Sequence, residues 1–245
     1  MTRQRFSFLF RALPWALFMI SALVVALFLA WRALIAVDYL YPVWYEAIDI
    51  EQTITRYGPQ NRHGKLLFEM TTKSERVRLF AALADAVHNQ GRGLENLVYY
   101  DSGGRPIATL LTMPEIVHLQ DVARLFDWLQ MIGWMTLGAL IVLLAWLRSR
   151  RQVLPSLRKL LLGTIGGIAL VGVVIVVLGP TRVFYQLHEW IFPPGHQWFF
   201  YYEDSLMSMM MKAPDLFGPI ALTWALLSLL LIAVLLIAAK RLLHR

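Results

Sequence analysis

Four apolar runs, at 14–37, 128–147, 160–178 and 216–239, decide what this chain can become. Each is long enough to cross a bilayer as a helix, which takes about 20 residues. The chain is 58% hydrophobic over 245 residues, more apolar than an ordinary soluble domain. The first run reads as a retained span and not as a cleaved leader. It is too long, and Asp38-Tyr39-Leu40-Tyr41 follows it in place of a small-residue cleavage site.

Charge sets the expected orientation. The 16 acidic residues fall in two places, 12 between Asp38 and Asp127 and 4 between Glu189 and Asp215. The acid-free remainder carries Arg3, Arg5 and Arg11 at the start, Arg148, Arg150, Arg151, Arg158 and Lys159 in the short connection, and Lys240, Arg241 and Arg245 at the end. By the positive-inside rule these basic segments are expected in the cytoplasm, with both termini inside and the acid-bearing segments outside. The net charge of +7 then has a topological and lipid-facing explanation, and nucleic acid is not an expected partner. With no cysteine, disulfides and a thiol nucleophile are excluded.

The expected architecture is all-α: a four-helix transmembrane bundle with an extracytoplasmic, mostly helical cap that contains a small β-hairpin. Its parts are an N-terminus and first span (1–37), the cap (38–127), the second and third spans with a short basic loop (128–179), an aromatic and histidine-rich outer loop (180–217), and the fourth span with a cytoplasmic C-terminus (218–245). Within the cap, Ser74 is the expected N-cap of a helix striped by Val77, Phe80, Ala81, Ala84 and Val87, which Gly91 and Gly93 end. Residues 97–100 and 107–111 flank Asp101-Ser102-Gly103-Gly104 as a hairpin, with Pro106 just ahead of the second strand. Thr112 caps the next helix, whose first turn tolerates Pro114 and Glu115. A segment of this size is marginal for an independent core, so it is expected to pack on the outer end of the bundle.

Two stretches carry chemistry. On the helix before the second span, His118 and Asp121 stand three residues apart, within side-chain reach. A carboxylate holding one imidazole nitrogen leaves the other free as a base. The competing reading is a solvated polar face on an interfacial helix. The second stretch, 183–217, is crowded with aromatics, as membrane interfaces are, and also holds His188, Glu189, His196, Glu203, Asp204 and Ser205. Phe184 and His188 lie one turn apart on the expected continuation of the third span. Pro193 and Pro194 break that helix and Gly195 allows a turn. Topology places both stretches at one interface.

Together these stretches resemble the lipoprotein intramolecular transacylase family. One family motif reads here as Glu115-Ile116-Val117-His118-Leu119-Gln120-Asp121-Val122, then Leu125-Phe126. The other is matched by His188, Ile191-Phe192, Trp198, Asp204-Ser205-Leu206 and Pro214-Asp215. Ser205 replaces the family's threonine and keeps its hydroxyl. Leu187-His188 stands for its Phe-His pair, and the Pro193-Pro194-Gly195-His196 insert departs from it. The resemblance implies a membrane acyltransferase of the bacterial cytoplasmic membrane, with its active site at the outer face. Such an enzyme moves the sn-2 acyl chain of a diacylglyceryl-modified lipoprotein to the α-amine of its N-terminal cysteine, giving the lyso form. The implied partners are that lipoprotein and membrane lipids, and no cofactor or metal is called for. His118 and His188 are the implied acid–base pair, with Asp121 orienting His118. Tyr185, Trp198, Asp204, Ser205 and Arg32 are candidates for binding substrate.

Other residues have plainer expectations. His196 reads as a turn histidine in solvent, and His63 and His88 as solvated. Arg32 either snorkels to the headgroups or binds a lipid or carboxylate. Met207, Met209, Met210 and Met211 read first as interfacial packing and second as a flexible acyl groove. Gly163 and Gly167 are expected to allow close helix packing. Two competing classes are a non-catalytic sensor or assembly protein, and a metal-dependent membrane hydrolase with ligands among His118, His188, His196 and Asp204. Against the second, the chain has no His-Glu-x-x-His helix.

Overall fold

A computed structural model describes the backbone of residues 2–243 and the side chains from Leu13 to Leu243. Of the basic residues used for orientation, the side chains of Arg3, Arg5 and Arg11, and all of Arg245, lie outside the described residues. The elements are α1 (Thr2–Ile35), α2 (Tyr41–Ala47), α3 (Ile50–Tyr57), α4 (Lys73–His88), β1 (Val98–Tyr100), β2 (Pro106–Thr109), α5 (Met113–Ser149), α6 (Leu157–Leu178), α7 (Pro180–Ile191), α8 (Leu206–Met210) and α9 (Phe217–Leu243). Among the described residues four helices are long and apolar enough to cross a membrane, over Leu13–Ile35, Met113–Ser149, Leu157–Leu178 and Phe217–Leu243. The chain divides into two compact units. One is drawn from Met1–Ala33, Leu129–Val177 and Thr223–Arg245, the other from Leu34–Trp128 and Leu178–Leu222.

The first unit is built from the apolar runs. Phe18, Ala22, Val25 and Ala26 of α1 pack with Leu140 and Leu147 of α5 and with Ile232, Leu236 and Ala239 of α9. Small residues let the backbones approach, as helix contacts in lipid require. The closest approach is at Gly133, where a Cβ would come within 2.4 Å of the Phe28 ring. Gly163 and Gly167 do not serve this purpose. A Cβ at either would meet nothing within 4 Å, and no residue of α6 is buried. Arg32 has a protein partner: its Nη1 donates to Gln130 Oε1 at 2.8 Å.

The second unit has a core of its own, with Tyr41, Tyr45, Ile50, Ile54, Phe68, Leu79, Leu94 and Tyr99 fully buried. Its organising polar group is Arg76. The guanidinium donates to Tyr45 Oη (2.6 Å), Glu51 Oε2 (2.5 Å), Thr71 Oγ1 (3.0 Å) and the Glu69 carbonyl (2.9 Å), pinning α4 to α2 and α3. Burial, together with the hydrogen bond to Glu51, pushes the Tyr45 hydroxyl up to about 12. Burial would also raise Glu51, but the hydrogen bonds from Arg76 and Tyr45 hold it below the usual carboxylate range.

Several local expectations are corrected. Thr72, not Ser74, is the N-cap of α4, its side chain accepting from the Glu75 amide. Both have the hydroxyl a cap needs; Thr72 alone has the extended backbone of an N-cap. The hairpin forms, but Pro106 is inside β2 opposite Tyr100, at a register shift where its missing N–H is tolerated. His88 is not solvated: its Nε2 meets Tyr39 Oη at 2.5 Å. The third span does not continue into the His188 helix. Gly179 takes φ +88°, a conformation glycine favours, and Pro180 starts α7 afresh.

Candidate active site

The stretch that opens α5 starts as a helix where the Glu115 carboxylate reaches back to Thr112. Glu115 Oε2 accepts from the Thr112 amide (2.5 Å) and hydroxyl (2.6 Å). From there Glu115, His118 and Asp121 follow at intervals of three, so they share one stripe. All three are buried, at 0%, 8% and 5% exposure. A polar stripe at that depth needs partners, and these come from the 183–217 stretch.

Glu115 Oε1 accepts from Ser205 Oγ at 2.5 Å, and Ser205 in turn caps α8 by accepting from the Ser208 amide at 2.8 Å. Asp121 Oδ2 accepts from His196 Nδ1 at 2.6 Å, while its Oδ1 accepts from Arg124. His118 faces aromatic rings. Its ring centroid lies 6.1 Å from His188, 4.9 Å from Phe192 and 6.0 Å from Phe200. The two histidines, 70 positions apart, are therefore neighbours, as the sequence reading requires.

His188 is set by its own helix. Nδ1 donates to the Phe184 carbonyl at 2.8 Å, one turn back, and the ring packs on Phe184 and Trp198 at 4.0 and 4.9 Å. A carbonyl only accepts, so the proton sits on Nδ1 and Nε2 keeps its lone pair. Burial lowers the His188 imidazole below its ordinary value, against the opposing pull of the Phe184 carbonyl. Around both rings is a cavity of about 60 Å³, lined by Phe184, Tyr185, Trp198, Phe199, Phe200, Met207, Ser208, Met211, Ala213, Pro214 and Phe217.

Of the expected site residues, His118, His188, Tyr185 and Trp198 surround this cavity. Asp121 does not orient His118, whose Nδ1 is buried with no hydrogen-bond partner; the carboxylate is taken by His196 and Arg124. His196 is correspondingly not a free turn histidine. Asp204 pairs with Arg62 at 2.8 Å, with His63 3.9 Å away, and does not line the cavity. Ser205 is fully buried, its hydroxyl bonded to Glu115 and to the Ser208 amide, and it does not line the cavity. The methionines split: Met207 and Met211 face the cavity, whereas Met209 and Met210 are buried away from it. Glu115 opens the family motif and is otherwise expected as a tolerated first-turn acid, not as a site residue; its interval of three from His118 is the signal that marks it. The ligand set of a metal hydrolase is dispersed. Asp204 and His196 are held elsewhere, and among the described residues no three His, Asp or Glu side chains are placed to hold one metal ion.

No curated protein matches the chain. Among solved structures, the in meso structure of the membrane integral lipoprotein intramolecular transacylase Lit from Bacillus cereus, carrying a histidine-to-arginine substitution, superimposes with a TM-score of 0.62. The match covers 100% of this chain and 97% of that one at 17% identity, which establishes a shared fold. The profile of the family described as lipoprotein intramolecular transacylase Lit matches residues 16–213, a stretch that contains the first histidine motif whole and the second up to Leu206. The chain therefore belongs to the lipoprotein intramolecular transacylase family.

Proposed function

We propose that this acyltransferase moves the sn-2 acyl chain of a diacylglyceryl lipoprotein to the α-amine of its N-terminal cysteine, with His118 and His188 as the reacting pair. The observation that carries the reading is that pair. Two imidazoles stand 6.1 Å apart in an aromatic cavity, one with Nε2 free and one with Nδ1 unpartnered.

Donor and acceptor belong to one molecule, so the apolar wall has only to fold the substrate back on itself. The neutral α-amine attacks the sn-2 ester carbonyl, forming a C–N bond and a tetrahedral oxyanion. His188 Nε2 takes the proton from nitrogen, because its Nδ1 is already committed to Phe184. His118 donates to the oxyanion, the partner its ring lacks in the free protein. The bond to the glycerol oxygen then breaks, and that oxygen receives the proton His188 took up. An amide and a free glycerol hydroxyl result, and no water is consumed.

The same reading puts the site at the outer face of a bacterial cytoplasmic membrane, with both termini cytoplasmic. Its support is the placement of acidic and basic residues along the chain. The test is expression in a bacterium lacking its usual lipoprotein N-acyltransferase, followed by mass spectrometry of one lipoprotein's N-terminal peptide. An N-acyl, monoacylglyceryl peptide, lost in His188→Asn and in His118→Asn, is the expected result. A peptide with a free amine and both ester chains, from well-expressed protein, would overturn the reading.

A further inference from the structure

The turn after α7 carries on each flank an aromatic ring that packs on the histidine pair. Phe192, just before it, lies 4.9 Å from the His118 ring and 5.2 Å from His188. Trp198, just after it, lies 4.9 Å from His188. Between them Pro193, Pro194 and Gly195 make a tight reversal, closed by the His196 amide on the Pro193 carbonyl at 3.2 Å. The hydrogen bond from His196 Nδ1 to Asp121 ties this turn to α5.

That bond is built to open. His196 is 37% exposed at its side chain, so water can receive it when it leaves. Asp121 is buried, yet Arg124 still holds its other oxygen, so the carboxylate is not left alone. The Glu115–Ser205 link is the opposite case: both partners are at 0% exposure, and parting them would strand two buried polar groups. The cavity also has to open. About 60 Å³ admits a few waters and falls far short of an ester carrying two acyl chains.

We propose that the Asp121–His196 bond is a releasable clasp, and that His196 is a positioning residue which sets the Phe192 and Trp198 rings around the imidazole pair once substrate is seated. The proposal rests on the acyl-transfer reading and is tested so that the two can fail separately. Full-length protein in detergent is given a synthetic dipalmitoylglyceryl-cysteinyl peptide with a free amine, and the N-acyl product is timed by mass spectrometry. His196→Ala and Asp121→Asn are expected to lower kcat about tenfold, in line with loss of a charge-assisted hydrogen bond, without raising KM. The double variant is expected to be no worse than either single one, because one bond is lost in all three. His196→Gln, which keeps an N–H donor, recovers most of kcat.

Equal kcat in all variants, or additive losses in the double, would overturn the clasp. Failure of His196→Gln together with a missing acid limb of the pH profile would make His196 a proton-transfer group instead, and would also overturn it. Hydrogen exchange of residues 192–200 in the substrate-free protein reads the clasp without turnover: faster exchange in His196→Ala is expected, and unchanged exchange sinks the proposal. No product from the wild type, with that faster exchange present, removes the acyl-transfer reading and leaves the clasp.

Discussion

The two units solve opposite problems. In the one built from the spans, α6 buries no residue fully and leaves most of its length exposed, with Val171, Val173, Val176 and Val177 among the exposed. That costs nothing in hydrocarbon, where an apolar side chain needs no protein neighbour. The unit that carries the histidines buries Arg76, Glu115, His118, Asp121, Ser205 and Ser208. There each polar atom must find a partner, and nearly all do. The exceptions among the described side chains are Asn61 Nδ2, Glu69 Oε2 and His118 Nδ1. Only the last belongs to a ring that lines the cavity, and in such a unit an unmatched atom is where function is to be sought.

The hardest test of that contrast is to remove the matched and unmatched imidazoles in turn. His188→Asn and His118→Asn are each expected to cut turnover of the dipalmitoylglyceryl peptide by about 10²–10⁴-fold, the usual contribution of a positioned acid or base. Melting temperature should stay near that of the wild type, since neither ring anchors the fold. If either variant keeps wild-type kcat, the pairing of cavity with function is broken. The pH profile sharpens the same point. The amine must be neutral, so log kcat/KM rises with slope one up to about pH 8, where an α-amine titrates. Below the His188 value a second proton must leave, and the slope becomes two. Burial sets that break below the ordinary imidazole value of about 6.5. The stability of the fold follows the same group. As pH falls through about 6.5 the unfolded chain takes up a proton that buried His188 refuses, so stability declines from there through its folded value.

Arg76 tests the structural half of the comparison. Arg76→Met keeps the apolar stem but leaves Tyr45 Oη, Thr71 Oγ1 and the Glu69 carbonyl without their donor. A loss of about 3 kcal/mol is expected in reversible unfolding, the low end for breaking a buried pair because Glu51 is half exposed. Arg78→Met, two residues further along α4 and with a side chain 47% exposed, is expected to cost about 1 kcal/mol or less. Equal losses would show that burial is not what sets the scale.

The spans were legible because length and apolarity alone specify them, and so was the start of the His118 helix just after Thr112, although there the Thr112 hydroxyl donates to Glu115. The pairing of His118 with His188 was also legible, from two motifs read together. What the residues did not disclose is which partner each polar group takes across 75 or 90 positions. Asp121 is one turn from His118 in the chain and within its reach, so local spacing favours that pair. His196 wins the carboxylate because the Pro193–Gly195 reversal brings it there, and a reversal's direction is not written in its glycine. The Ser205 hydroxyl caps α8, and a hydroxyl that caps a helix and one that meets a ligand look the same in sequence. Thr72 and Ser74 differ as caps only in backbone conformation, which composition does not reveal.

The glycines give the smallest and sharpest test, because one spacing rule applied to both kinds of site misreads them. Gly133→Ala places a methyl within 2.4 Å of the Phe28 ring, so α1 or α5 must shift. A loss of about 1–3 kcal/mol is expected, the usual cost of overpacking. Gly167→Ala meets open space on a helix that buries nothing. Its effect should be neutral or stabilising by about 1 kcal/mol or less, the propensity gain of alanine over glycine. Both are read from thermal unfolding in the same detergent. A clear loss in Gly167→Ala would mean that α6 is packed against something in the membrane. The rule that lipid-facing apolar surface needs no protein neighbour would then not describe this helix.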